Sequence, residues 1–187
     1  VIDQELATGE RTVRKQLPVL DGFDPAQYAS AREWATAADG TRVPISLVWR
    51  PDAQPSDGAP APCLLYGYGA YEVSMDPWFS IARLSLLDRG VVFAIAHVRG
   101  GGELGRHWYE DGKFGAKRNS FSDFVACARH LVDTGRTAPE LLAARGGSAG
   151  GFTTLAALTF SDAFRAGCSL YGIGDLELMA GDDHKFE

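Results

Sequence analysis

From Cys63 onward, short apolar runs that end in glycine alternate with stretches of helical period, and this alternation restricts the fold more than any other feature. CLLYGYG is followed by WFSIARLSLLDRG, in which Phe79, Ala82, Leu86 and Leu87 recur as on one helix face and Gly90 closes the run. VVFAIAHV is continuously apolar and partly β-branched, the composition of a strand buried on both faces. FSDFVACARHLVDTG repeats Phe121, Phe124, Val125, Ala128 and Leu131 at helical spacing, with Ser120 or Ser122 as the expected N-cap and Gly135 as the stop. LLAARGG, GFTTLAALTF and FRAGCSLYG then read as strand, helix and strand. Repeated strand–helix units call for a mostly parallel sheet covered by helices on both faces. The 22 glycines suit the tight turns of such a sheet and argue against a helical bundle.

The stretch before Cys63 has a different texture. Thr8-Gly9-Glu10 lies between two extended-looking runs, VIDQELA and RTVRKQLPVL, and predicts a β-hairpin with too few apolar residues for a core of its own. Asp39-Gly40, between the alternating runs of REWATAADGTRVPISLVWR, predicts a second and stronger hairpin. PDAQPSDGAPAP reads as an exposed loop. The net charge of −6 speaks against a nucleic-acid partner. No apolar run approaches the roughly 18 residues of a membrane span, so no membrane partner is expected. The 3 cysteines, Cys63, Cys127 and Cys168, are widely spaced and sit in apolar or helical runs, which predicts buried free thiols in a reducing, cytoplasmic setting. The chain opens on Val without a signal peptide and ends on HKFE, and reads as a segment of something longer.

Within AARGGSAGGF, residues 146–150 match G-x-S-x-G with Ser148 at the centre. That pattern serves a sharp strand-to-helix turn, which lifts the serine oxygen above the sheet edge and needs small neighbours where the backbone crowds. The helix beyond directs its N-terminus at developing negative charge. A Gly-rich turn without chemistry is the plain alternative. A rival site follows VVFAIAHV, where Gly100, Gly102 and Gly105 satisfy the dinucleotide fingerprint G-x-G-x-x-G. RHWYEDGKFGAKRN beyond it is polar and glycine-broken, and Asp123 falls in a helical run instead of ending a second strand, so no nucleotide cofactor is expected. The 4 histidines show no metal-ligand spacing and no HExxH, so no metal is expected either.

The blocks YGYGAYEVSMDPWFSIARLSLLDRGVVFAIAHVRGGGELGRHWYEDGKF and GGSAGG closely resemble the prolyl oligopeptidase family of serine peptidases, in its oligopeptidase B branch. The resemblance runs from the first hairpin to about residue 160. It implies an α/β fold class, namely a partial α/β-hydrolase fold holding the first half of the mostly parallel sheet through the nucleophile turn. It also implies that residues 1–20 are the end strands and linker of a β-propeller, and that residues 21–187 are the N-terminal part of the catalytic domain. By the same likeness Ser148 is the nucleophile, and the Ala149 N–H and the Tyr68 hydroxyl are the oxyanion donors. For Tyr68 a packed strand-end aromatic is the alternative. Asp76 matches an acidic side chain that holds a substrate's cationic group, with Trp78 where a second acid is expected; a solvated loop aspartate is the other reading. Arg99 and Glu103 fall in the family's Gly-rich loop, as substrate contacts or as a structural ion pair.

Two departures qualify these expectations. The text after Phe152 is more similar to the acylaminoacyl-peptidase branch of the superfamily. In addition, the triad order in this fold is Ser, Asp, His, yet the chain beyond Ser148 runs only to Glu187. Asp175, Asp182, Asp183 and His184 follow the serine, but His184 follows its aspartates too closely to cross the sheet and return, and His97, His107 and His130 precede the serine. The expectation is a serine oligopeptidase acting on short peptides, first choice after Arg or Lys, whose base lies outside this segment. The segment alone would be inactive. The alternatives are acylaminoacyl or dipeptidyl cleavage, or a non-catalytic module that docks on a complementary chain.

Overall fold

The computed structural model describes residues 1–20 and 22–179. It contains a two-stranded ribbon, β1 (Ile2–Gln4) with β2 (Arg11–Val13), and a six-stranded sheet. The sheet strands are β3 (Ala29–Thr36), β4 (Arg42–Trp49), β5 (Cys63–Gly67), β6 (Val92–Ala96), β7 (Leu142–Gly147) and β8 (Ala166–Leu170). Their order across the sheet is β3-β4-β6-β5-β7-β8. β3, β4 and β6 pair antiparallel, whereas β6, β5, β7 and β8 run parallel. Both hairpins read from the sequence are present, and every residue of β1 and β2 is exposed.

Side chains alternate between the two faces of the sheet. Ile45, Leu65, Ala94 and Leu142 belong to one core with Phe124, Cys127 and Leu131 of α3 (Arg118–Asp133) and Ala157 of α4 (Ala149–Phe160). Phe93 and Ile95 point to the other face, against Leu84 and Leu87 of α1 (Ile81–Leu87). β6 therefore buries all of its residues, as its unbroken apolar run predicts. Crossovers of one hand explain the layering: the chain steps from β5 to β6 by way of α1, then back past β5 to β7 by way of α3 on the opposite face. The neighbours β5 and β7 thus send their following helices to opposite faces. Such a switch point opens a crevice at the carboxyl ends of the strands.

The details correct several expectations. α1 begins only at Ile81; Phe79 lies before it, partly exposed, and its ring packs on Phe23 at 4.8 Å. α3 starts at Arg118, so neither Ser120 nor Ser122 is its N-cap. The polar stretch after Gly105 forms a one-turn helix, α2 (Arg106–Glu110), because that turn buries Trp108 and Tyr109 and lets the Trp108 indole N–H reach His97 O at 3.1 Å. Cys63 and Cys127 are buried as expected, and burial pushes the Cys63 thiol up to about 12. Cys168 is exposed instead, because β8 is the last strand of the sheet. A short helix, α5 (Leu176–Met179), ends the described chain. Among the described residues no helix is long and apolar enough to cross a membrane, and no cluster of His, Cys, Asp and Glu could hold a metal ion.

Candidate active site

Ser148 occupies the single residue between β7 and α4, half-buried, with φ 55° and ψ −120°. A non-glycine residue in this region costs on the order of 1–3 kcal/mol and persists only where its surroundings enforce it. The enforcement comes from the hydrogen bond of Ser148 N–H to Leu170 O of β8 at 2.9 Å and from the glycines on either side. A Cβ on Gly146 would stand 2.0 Å from Gly150 O, and one on Gly150 would stand 2.4 Å from Gly67 O. The G-x-S-x-G spacing is therefore a steric requirement of this turn. Ser148 Oγ does not cap α4, and among the described residues it has no hydrogen-bond partner. A hydroxyl held out of the backbone network at the end of a parallel sheet is available to react. The Ala149 N–H is among the first of α4, a set that lacks intrahelical partners and carries the positive end of the helix dipole.

Tyr68 follows β5 directly and so leaves the sheet at the same edge as Ser148. Its backbone lies on the first turn of α4: Thr153 Oγ1 donates to Tyr68 O at 3.1 Å, and a Gly150 Cβ would approach Tyr68 Cα to 3.1 Å. Gly69 next to it is held by Lys117 Nζ, which donates to Gly69 O at 2.7 Å. Ser120, buried inside α3, donates to Arg99 O at 2.6 Å and also reaches Gly69 O and Gly112 O. One hydroxyl thus donates to the Arg99 carbonyl while lying within reach of two further loop carbonyls. The sequence predicts a cap at Ser120 or Ser122, because a buried serine inside a helix has no local signature.

Arg99 and Glu103 do not pair with each other. The Arg99 guanidinium, 6% exposed, donates from Nε and Nη2 to the two oxygens of Asp123 at 2.8 and 2.6 Å, and from Nη1 to Asp39 at 2.6 Å. Its backbone N–H adds a bond to Asp123 at 3.0 Å. Hydrogen bonding to Asp123 raises the Arg99 guanidinium above its ordinary value, and burial raises the Asp123 carboxyl above its own against the lowering pull of the Arg99 donors. The Thr41 backbone N–H, with Arg99, lowers the Asp39 carboxyl to about 2. Arg99 is thus consumed in tying the Gly-rich loop to α3 and to the β3–β4 turn. Glu103 accepts from Met75 N–H at 3.0 Å and lies 3.5 Å from His97 Nδ1. Asp76, one residue beyond Met75, is exposed, and its carboxylate has no partner among the described residues. Trp78 beside it is half-exposed, and its backbone N–H donates to the Asp76 backbone carbonyl at 2.9 Å.

No described imidazole serves Ser148. His97 is 1% exposed, and its Nε2 shares a hydrogen bond with Ser46 Oγ at 2.7 Å. His130 is bonded to Glu33 at 2.8 Å, and His107 is exposed beside the Trp108 ring. Asp175 accepts the backbone N–H groups of Glu177 and Leu178, while Asp182, Asp183 and His184 lie outside the described residues. Ser46, His97 and Glu103 do line up in the manner of a serine–histidine–acid relay, and Ser46 borders a groove of about 530 Å³. Ser46 sits mid-strand, however, with β3 and β6 paired on either side, so its neighbouring N–H groups are spent in the sheet and offer no oxyanion site among the described residues.

The sheet order, the switch point and the strained strand-to-helix turn at Ser148 together define an α/β-hydrolase domain. The chain belongs to the prolyl oligopeptidase family, which it matches over residues 77–187. It is 49% identical over 146 residues to "Protease 2" of Moraxella lacunata, covering 78% of this chain and 21% of that protein. It is 54% identical over 145 residues to "Dipeptidyl aminopeptidase BI" of Pseudoxanthomonas mexicana, covering 77% and 20%. Among solved structures, oligopeptidase B from Leishmania major superposes with a TM-score of 0.81 at 49% identity, over 89% of this chain and 23% of that one. The chain thus spans about a fifth of the length of the curated relatives it matches.

Proposed function

We propose that the protein containing this chain is a serine peptidase that cleaves short peptides through an acyl-enzyme on Ser148. The observation that carries the reading is the Ser148 turn, with φ 55° and an Oγ without a partner among the described residues. Ser148 Oγ attacks the substrate carbonyl and passes its proton to a histidine outside the described residues; the tetrahedral oxyanion is received by the Ala149 N–H and the Tyr68 hydroxyl. The exposed Asp76 carboxylate, without a partner among the described residues, receives a cationic substrate group, which favours cleavage after Arg or Lys over acylaminoacyl or uncharged substrates. The similarity to "Dipeptidyl aminopeptidase BI" supports a dipeptidyl mode as the second reading.

The wholly exposed β1–β2 ribbon suits the end strands of a propeller that admits only small substrates, and residues beyond it suit the catalytic domain. β8 ends the described sheet with an unpaired edge, which supports docking of further strands from the same chain or from a complementary one. The described chain alone is expected to lack peptidase activity, because removing the base of a Ser–His pair costs orders of magnitude in rate. The test compares chromogenic arginyl, prolyl and acyl-alanyl substrates on the full-length protein and on its Ser148→Ala variant. Arginyl turnover that disappears with Ser148→Ala is the expected result; undiminished turnover in that variant would refute the assignment of the nucleophile.

A further inference from the structure

The segment 71–76, which bears Asp76, is held in an unfavourable shape by groups outside itself. Tyr71 and Glu72 are consecutive non-glycine residues with φ 55° and 59°, each costing on the order of 1–3 kcal/mol unless its surroundings dictate it. The ties come from the Gly-rich loop. Glu72 N–H donates to Gly100 O at 3.1 Å, Arg106 pairs with the Glu72 carboxylate, and Met75 N–H donates to Glu103 Oε1 at 3.0 Å. Of the ties from the Gly-rich loop, Glu103 supplies the one nearest to Asp76, and its side chain is only 9% exposed. The loop makes room for it: a Cβ on Gly101 would stand 2.1 Å from Glu103 Oε2. Behind the carboxylate, His97 Nδ1 lies 3.5 Å away, and Ser46 fixes that ring from its far side. Glu103 Oε2 and His97 Nδ1 are the buried side-chain polar atoms without a hydrogen bond among the described residues, so the burial of this carboxylate calls for an explanation beyond its own hydrogen bonding.

We propose that Glu103 is a positioning residue for substrate specificity: by holding Met75 N–H it places the Asp76 carboxylate where the substrate's cationic group arrives. This rests on the reading of Asp76 given above. Glu103 then acts on the binding of cationic substrates and not on the chemistry at Ser148. Losing that placement of Asp76 is expected to weaken binding of a cationic substrate on the order of tenfold.

The experiment uses the full-length protein with arginyl and uncharged ester substrates, together with hydrogen exchange at residues 71–76. Glu103→Ala is expected to raise KM for the arginyl substrate about tenfold, to leave kcat and the uncharged substrate nearly unchanged, and to speed exchange of the Met75 amide. Glu103→Gln, which keeps an acceptor for Met75 N–H, is expected to restore both readouts. If Glu103→Ala does not fold, Glu103→Asp, whose shorter side chain withdraws from Met75, is read in the same way. Asp76→Asn separates the two layers. A loss of arginyl preference in Asp76→Asn with unchanged arginyl KM in Glu103→Ala overturns the positioning role alone. Full preference in Asp76→Asn overturns the reading of Asp76, and the inference with it. A uniform fall in kcat on both substrates would make Glu103 merely structural and also refute it.

Discussion

Replacing Asp123 by Asn tests how the Gly-rich loop is held. The Asp123 side chain is fully buried and accepts Arg99 N–H, Nε–H and Nη2–H at 3.0, 2.8 and 2.6 Å. An amide keeps one acceptor and turns its NH₂ toward a guanidinium donor, so the positive charge of Arg99 remains buried. Its remaining counter-charge is Asp39, whose side chain is 47% exposed and whose contribution solvent screens to about 1 kcal/mol or less. Breaking a buried pair from one side costs about 3–5 kcal/mol. Because total stabilities of folded domains are about 5–15 kcal/mol, the variant would lose a large fraction of its margin. For a chain of this size the melting temperature should fall by on the order of 10 °C. Urea denaturation followed by tryptophan fluorescence measures the loss, and an unchanged m-value confirms that the folded state is still the reference. The double variant Arg99→Met/Asp123→Leu should recover much of the deficit, since apolar side chains of similar volume replace a buried pair at little net cost. A loss below about 1 kcal/mol in Asp123→Asn would show the pair to be solvated and would return Arg99 to candidacy as a substrate contact.

Gly150→Ala should disturb the elbow from a different direction: its methyl would stand 2.4 Å from Gly67 O and 3.1 Å from Tyr68 Cα, so α4 must move away from β5. Such overpacking costs about 1–3 kcal/mol, and a shift approaching 1 Å between Ser148 and Tyr68 should cut kcat/KM on the order of a hundredfold in the full-length protein; wild-type turnover in a stably folded variant would refute the steric account. Glu33 links β3 to the end of α3, and although burial pushes its carboxyl up, hydrogen bonds from His130 and Arg136 hold it below its ordinary value of 4.5. A depressed acid stabilises the fold above its unfolded-state value, and that contribution is lost as pH falls through the folded-state value, so the melting advantage over Glu33→Gln should be full near about pH 5 and shrink toward about pH 3. An advantage that stays constant over that range would contradict it.

Much of the site was legible because local sterics wrote it into short patterns. Gly146, Ser148 and Gly150 had to be read together, since the backbone of a strand-to-helix turn leaves no room for side chains at the flanking positions. The apolar run of β6 and the helical period of α3 likewise reported burial directly, because each residue's neighbours repeat at a fixed interval along the chain. The sequence by itself therefore determined the α/β class, the position of the elbow and both hairpins. What it left open depends on partners far apart in the chain. Arg99 finds Asp123 and Asp39, Ser120 finds the carbonyls of Gly69 and Arg99, and Glu103 finds Met75 and His97. No periodicity announces such pairs, since a charged residue in a Gly-rich loop reads the same whether it faces substrate or the interior. Only the sheet order, which brings the ends of β5, β6 and β7 to one edge, decided that Arg99 would be buried and that Ser148 would be left with a free hydroxyl among the described residues.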